Sequence, residues 1–253
     1  MIEIIDNQYF GTSVQENLAT VTFKRDIFDL VTNIEESQKL IGFIRSTEYD
    51  NDIKGLLILN APDCFGEEAY DDFMKMIMKE RAGEKPEAMM PEFTEKNKRF
   101  RQITIINRFV RFLANYSKIS AIGTGFTVVT PFIGVYLVAD IRFASPATVF
   151  SFAHLKYGLH PSGGLPYLLT HYLGHSKAME IMLSEKLTAD QAKTLGLVNR
   201  ILPAENFDSE CKRMMNQYLK INQASLRVTK RLFNYMSKDL DEYFEFEAGL
   251  LNL

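Results

Sequence analysis

The chain has 253 residues, 46% of them hydrophobic and 24% charged, with a formal net charge of −3. That size and balance suit a globular protein with a substantial core. No run of Lys or Arg forms a basic tail, so no nucleic-acid partner is expected. Residues 1–10 include acidic side chains and lack a positive start followed by an apolar stretch. No signal peptide is therefore read, and a cytoplasmic location is expected. The longest nearly apolar run, 126–139, contains Pro131 and is too short to span a bilayer, so no membrane partner is expected. Cys64 and Cys211 lie far apart without metal-ligand spacing and read as reduced thiols.

Residues 18–23 alternate, with Ala19, Val21 and Phe23 on one face and two threonines on the other, which predicts a half-buried strand. Leu40, Ile41 and Ile44 fall at helical spacing within 35–44. The continuous apolar run 55–59 predicts a strand buried on both faces. Strand, helix and buried strand make a βαβ unit with a parallel pair. A loop follows at 60–66, then a Met-rich helix at 70–79 whose Met74, Met76 and Met78 read as helix packing, with the lining of an apolar pocket as the alternative. Residues 80–101 are dense in charge and carry Pro86 and Pro91; they read as a solvated surface excursion, with a mobile lid as the alternative.

Residues 108–116 predict a helix, and 121–129, apolar and β-branched, a third buried strand. Pro131 suits a helix start, so 132–138, apolar all round, reads as a buried helix. Short strands are expected at 141–143 and 149–152, and mostly helix from Pro161 onward. Thr188 and Gln191 have capping-box spacing, and Gly196 supplies a helix stop. A brief strand at 197–202 precedes helices from 206, broken near Asn222. The class is α/β, divided into a core at 1–195, with the charged insertion 80–101, and a C-terminal helical region at 196–253.

Several segments resemble one family. Asp140-Ile141-Arg142-Phe143-Ala144, then Phe150, then Tyr157-Gly158-Leu159-His160-Pro161-Ser162-Gly163-Gly164 are similar to the strand and glycine-rich turn of crotonases, the enoyl-CoA hydratase/isomerase superfamily. Leu173-Gly174, Ala178-Met179-Glu180, Leu187-Thr188-Ala189, Gly196-Leu197-Val198 and Thr229-Lys230 continue the likeness in order and spacing, over roughly residues 16 to 240. The resemblance implies stacked ββα units and a C-terminal helical region that builds homotrimers or hexamers. It also implies no tightly bound cofactor and a ligand that is an acyl thioester of coenzyme A or of a carrier protein. Two backbone N–H groups would hold the thioester carbonyl while the reaction passes through an enolate-like state.

The chain departs from the family where the chemistry sits. The first backbone donor matches Glu68, in Phe65-Gly66-Glu67-Glu68. The central glycine of the second donor run matches Pro131, which has no N–H, and a one-residue shift brings the Phe132 N–H into its place. The two glutamates that activate water in a hydratase match Gly134 and His154. Two-carboxylate hydration is therefore not expected. His154 becomes the candidate acid/base, since imidazole titrates near neutral pH. His154 and His160 lack a visible third ligand, so no metal is expected. Lys230 is a candidate to reach a phosphate. The resulting expectation is an isomerase, lyase or hydratase-like enzyme without the standard glutamates; the alternative is a non-catalytic homologue that binds a ligand or supports an assembly.

Overall fold

The computed structural model describes residues 2–78 and 92–250, so most of the 80–101 excursion lies outside the described residues. In chain order the first elements are β1 (Phe10–Gln15), β2 (Leu18–Phe23), α1 (Ile27–Leu30), α2 (Ile34–Tyr49), β3 (Gly55–Asn60) and α3 (Glu67–Ile77). Next come α4 (Lys96–Asn115), β4 (Ile119–Thr124), β5 (Val128–Val129), α5 (Phe132–Leu137), β6 (Ile141–Ala144) and β7 (Val149–Ser151). A 3-10 turn (Ala153–Tyr157) leads to α6 (Leu165–Leu173), α7 (His175–Met182), β8 (Lys186–Thr188) and α8 (Ala189–Thr194). The chain continues with β9 (Arg200–Ile201), α9 (Phe207–Tyr218), α10 (Gln223–Tyr235) and α11 (Leu240–Gly249).

Six strands form one sheet in the order β1-β2-β3-β4-β6-β9; β1 and β2 make an antiparallel hairpin and every later pairing is parallel. All residues of β3 and β4 are buried, because helices cover both faces of a parallel sheet. On one face Cys211, Met214 and Met215 of α9, with Leu219 just past its end, pack on Leu57, Leu59, Ala121 and Phe143. On the other, Leu56 and Ile58 join the main core with α2, α4 and α5. The second sheet, β5-β7-β8, stands at the start of α5.

Three sequence expectations change here. β2 is not half-buried: it lies between β1 and β3, so Thr20 is buried as well. The 121–129 run is two strands in different sheets, since the chain leaves the first sheet after Thr124 and enters the second at Val128. α4 begins at Lys96, well before 108. Past residue 195, β9 pairs with β6 and α9 covers the first sheet, so the C-terminal region shares the same core. The Thr188–Gln191 capping box is present, and Gly196 takes a φ of 76° just past α8. Arg142 donates to the carbonyls of Leu137, Ala139 and Leu197, which ties the end of α5 to the approach to β9. Among the described residues no helix is long and apolar enough to cross a membrane.

Candidate functional site

Two helix starts meet where the sheets meet. The Val129 N–H donates to the Phe65 carbonyl at 2.9 Å, which fixes the entry to α5 beside the entry to α3. The rings of Phe65 and Phe132 stack with centroids 4.7 Å apart. First-turn amides have no partner inside their own helix. No side chain caps either end: the residue before α3 is Gly66 and the residue before α5 is Pro131. Glu68 is the second residue of α3 and Phe132 the first of α5, so the structure brings their backbones to neighbouring helix starts. Beneath the ring stack a wholly apolar cavity of about 20 Å³ is bounded by Phe65, Phe132, Val135, Ile105, Ile106 and Phe109.

Gly134 cannot be replaced by any larger residue without backbone movement. A Cβ there would lie 1.9 Å from the Gly163 carbonyl oxygen. Gly163 and Gly164 themselves take φ of 74° and 71°, a region that favours glycine. The 162–164 turn thus presses its backbone onto the first turn of α5. The position matched to one hydratase glutamate has no room for a carboxylate.

His154, in the 3-10 turn, is buried. Its Nδ1 lies 3.1 Å from the Thr130 hydroxyl, which in turn lies 3.3 Å from the Ser151 carbonyl. A hydroxyl has one proton to give. If it goes to the Ser151 carbonyl, the imidazole carries its proton on Nδ1 and leaves Nε2 as an acceptor. Burial first, then the charges of His160 and Arg99, push the His154 imidazole down to about 4, so it is neutral at pH 7. His160 turns Nδ1 to the Pro161 carbonyl at 2.8 Å.

Four polar residues near this turn were not singled out from the sequence. Thr130 is one. Glu247, 2% exposed on α11, accepts from Asn107 at 2.9 Å and from the Gly163 and Gly164 amides at 3.1 Å each. Arg99 and Gln102 continue the buried stripe of Ile106, Phe109 and Leu113 along α4. Polar residues on an otherwise apolar helical stripe are the signal that would have found them.

α3 is held to its surroundings by ion pairs. Lys156 and Tyr157 both bond the Asp71 carboxylate at 2.5 Å, and Lys186 lies 2.7 Å from Glu67. Asp71 is held below the usual carboxylate range: burial opposes this, but the bonds from Lys156 and Tyr157 outweigh it. The Glu68 side chain lines a surface groove of about 540 Å³ with Asp26, Asp29, Asp63, Asp72 and Arg25. That groove is acidic. Lys230 is elsewhere: its buried ammonium pairs with Asp140 at 2.6 Å and donates to the Lys118 carbonyl at 2.8 Å. It borders a separate cavity of about 580 Å³, which none of Glu68, Phe132 or His154 lines.

The enoyl-CoA hydratase/isomerase family model matches residues 120–252, just over half of the chain. A protein of Caenorhabditis elegans, described only as uncharacterized protein B0272.4, is 34% identical over 44% of this chain and 42% of its own length. The probable enoyl-CoA hydratase echA12 of Mycobacterium tuberculosis is 37% identical over 38% of this chain and 34% of its own length. The aligned part therefore spans less than half the length of these relatives. An enoyl-CoA hydratase structure from Mycobacterium avium subsp. paratuberculosis matches with a TM-score of 0.74 over 98% of this chain and 95% of that one, at 21% identity. An enoyl-CoA hydratase/isomerase structure from Cupriavidus metallidurans matches with a TM-score of 0.71 over 97% and 88%, at 22% identity. At those identities the likeness shows the fold.

Proposed function

This chain belongs to the enoyl-CoA hydratase/isomerase family, and we propose that it binds an acyl thioester with the carbonyl oxygen between the Glu68 and Phe132 amides and His154 moving the proton. The observation that carries this reading is the pair of uncapped helix starts tied together by the Val129–Phe65 bond, with His154 bonded to Thr130, two residues before Phe132. Amides aimed at a developing oxyanion stabilise it without reorganising, which is the largest single effect in such sites. A neutral imidazole with a free Nε2 takes the proton next to the thioester carbonyl, and the enolate that forms draws charge onto the oxygen held by the amides. Reprotonation at another carbon gives isomerisation, and loss of a leaving group gives a lyase reaction. Hydration by two carboxylates is unsupported, since Gly134 has no room for one and His154 replaces the other.

The ligand in this reading is a thioester of coenzyme A or of a carrier protein, bound in the cytoplasm, with no tightly held cofactor. Lys230 is left out of this reading: its ammonium pairs with Asp140. Self-association as a homotrimer or hexamer is supported by the face of α10, where Val228, Leu232, Phe233 and Tyr235 are exposed.

A second reading, a non-catalytic homologue, is favoured by two observations. The cavity under the Phe65–Phe132 stack has room for about one water, so an acyl group enters only if the rings part. The groove at Glu68 carries five carboxylates against Arg25, which repels phosphates. Calorimetry with a panel of acyl-CoAs, with turnover followed by mass spectrometry on the protein and on His154→Ala, separates the two. Turnover that His154→Ala abolishes while binding persists supports the enzyme. Binding without turnover for every acyl group supports the homologue.

A further inference from the structure

α10 is turned the wrong way round for a helix of a lone globule. Of its 13 residues only Lys230 is buried, and that ammonium is held by Asp140 and the Lys118 carbonyl. On the opposite side of the helix Val228, Leu232 and Tyr235 are exposed, as is Met236 just past its end. An apolar stripe normally faces the core while charges face water. Here the charge points in and the apolar stripe points out, which marks a contact surface. Arg227 and Arg231, both exposed, lie one turn apart along the edge of the stripe. They belong to a longer basic stretch: residues 211–238 hold seven Lys and Arg and no Asp or Glu, in a chain of net charge −3.

The groove lined by Asp26, Asp29, Asp63, Glu68 and Asp72 is the complement of that surface. Its volume is about 540 Å³, and Phe28, Phe73 and Met76 give its lining an apolar part. Arg25 is the only cation in that lining among the described residues. The two surfaces cannot meet within one chain. β2, β3 and β4 run parallel, with Leu18 beside Gly55 and Gly55 beside Ile119. Lys230 holds α10 at Lys118, just before β4, whereas Asp26 and Asp63 follow the far ends of β2 and β3. Strands of this length keep those ends about 20 Å apart. A contact between the two surfaces is therefore a contact between copies. We propose that α10 of one copy docks on the acidic groove of a second copy, its apolar stripe on Phe28, Phe73 and Met76 and its Arg227 and Arg231 on the carboxylates. Two different surfaces meet in such a contact, so copies join head to tail and form a ring where the rotation closes. This proposal rests on the self-association reading and names the surface that α10 meets. It also bears on the candidate site: two guanidinium groups from the second copy offset the carboxylates in the groove at Glu68, so the charge of that groove is balanced only in the assembly.

The test is sedimentation velocity on the whole protein over a dilution series, with charge reversals on each face. Arg227→Glu/Arg231→Glu makes α10 acidic, and Asp29→Lys/Asp72→Lys makes the groove basic. All four side chains are exposed, and thermal melts check that the variants fold. Each reversal sets like charges opposite one another and is expected to weaken the assembly roughly 100-fold. A chain with all four substitutions pairs an acidic α10 with a basic groove and is expected to regain assembly near wild-type strength, which a merely damaged fold would not do. Arg227→Gln/Arg231→Gln, which only removes charge, serves if a reversal does not fold and should weaken assembly about 10-fold. A wild-type assembly that no variant weakens overturns the proposal and leaves self-association through another face. Weakening by the α10 reversal without rescue in the fourfold variant overturns the groove as the receptor. A wild type that stays monomeric overturns the self-association reading and the proposal together; if it then floats with phosphatidylserine–phosphatidylcholine vesicles, α10 is a membrane-surface helix instead.

Discussion

The six-stranded sheet and the cluster around the 162–164 turn are both buried, yet they are built on different terms. In the sheet, β3 and β4 are covered on both faces by apolar side chains that fill space. At the turn, single atoms decide: the Gly163 carbonyl against Gly134, the Glu247 oxygens on two amides, Thr130 on His154. Volume is interchangeable among hydrophobic residues, whereas a particular acceptor or a missing Cβ is not.

That contrast can be broken by measurement. Glu247→Ala strands three buried donors at once and should cost about 4 kcal/mol in urea unfolding; a loss under about 1 kcal/mol would show that the turn is held by packing alone. His154 comes next. Its imidazole is pushed from 6.5 down to about 4 in the folded chain. Between those pH values the unfolded chain binds the extra proton and the folded one does not, so stability falls as pH drops through that window. The loss approaches roughly 3 kcal/mol by pH 4. Unfolding at pH 7 and pH 5 should show this slope in the wild type and a shallower one in His154→Gln; parallel slopes would mean the imidazole is not held neutral. Gly134→Ala should cost about 2–3 kcal/mol, because a Cβ 1.9 Å from a carbonyl oxygen forces the turn away from α5. The smallest effect belongs to the sheet: Ile58→Val, at a site with 0% exposure, should cost about 1 kcal/mol. If Ile58→Val cost more than Gly134→Ala, the two regions would not differ as described.

The sheet was the more legible region for the same reason. Runs such as 55–59 announce central strands by apolar content alone, whatever their exact partners. β1 was missed because an edge strand with Gly11, Thr12, Ser13 and Gln15 shows little apolar alternation. β2 was read as half-buried because threonine looks polar, while its place inside the sheet decides its burial. Around the turn, the sequence placed Glu68, Phe132 and His154 near helix starts and a strand end through family resemblance. It showed nothing of Thr130, Arg99, Gln102 or Glu247, whose roles depend on contacts between distant segments. Arg99 was hidden twice: the charges around it suggested solvent, and residues 96–101, the first turns of α4, were read as part of a surface excursion; Gln102 fell between that excursion and the helix expected from 108.

Glu247 meets Asn107 across 140 residues of sequence and the Gly163 and Gly164 amides across 84 and 83. A chain made from its N-terminus exposes the sheet, both helix starts and the turn to the surrounding water well before α11 leaves the ribosome. Until then the two turn amides keep water as their partner and the loop beside α5 stays free to sample other shapes. The strands of the sheet precede α11 in the chain, and the shape of the candidate site is set only once that helix has been made.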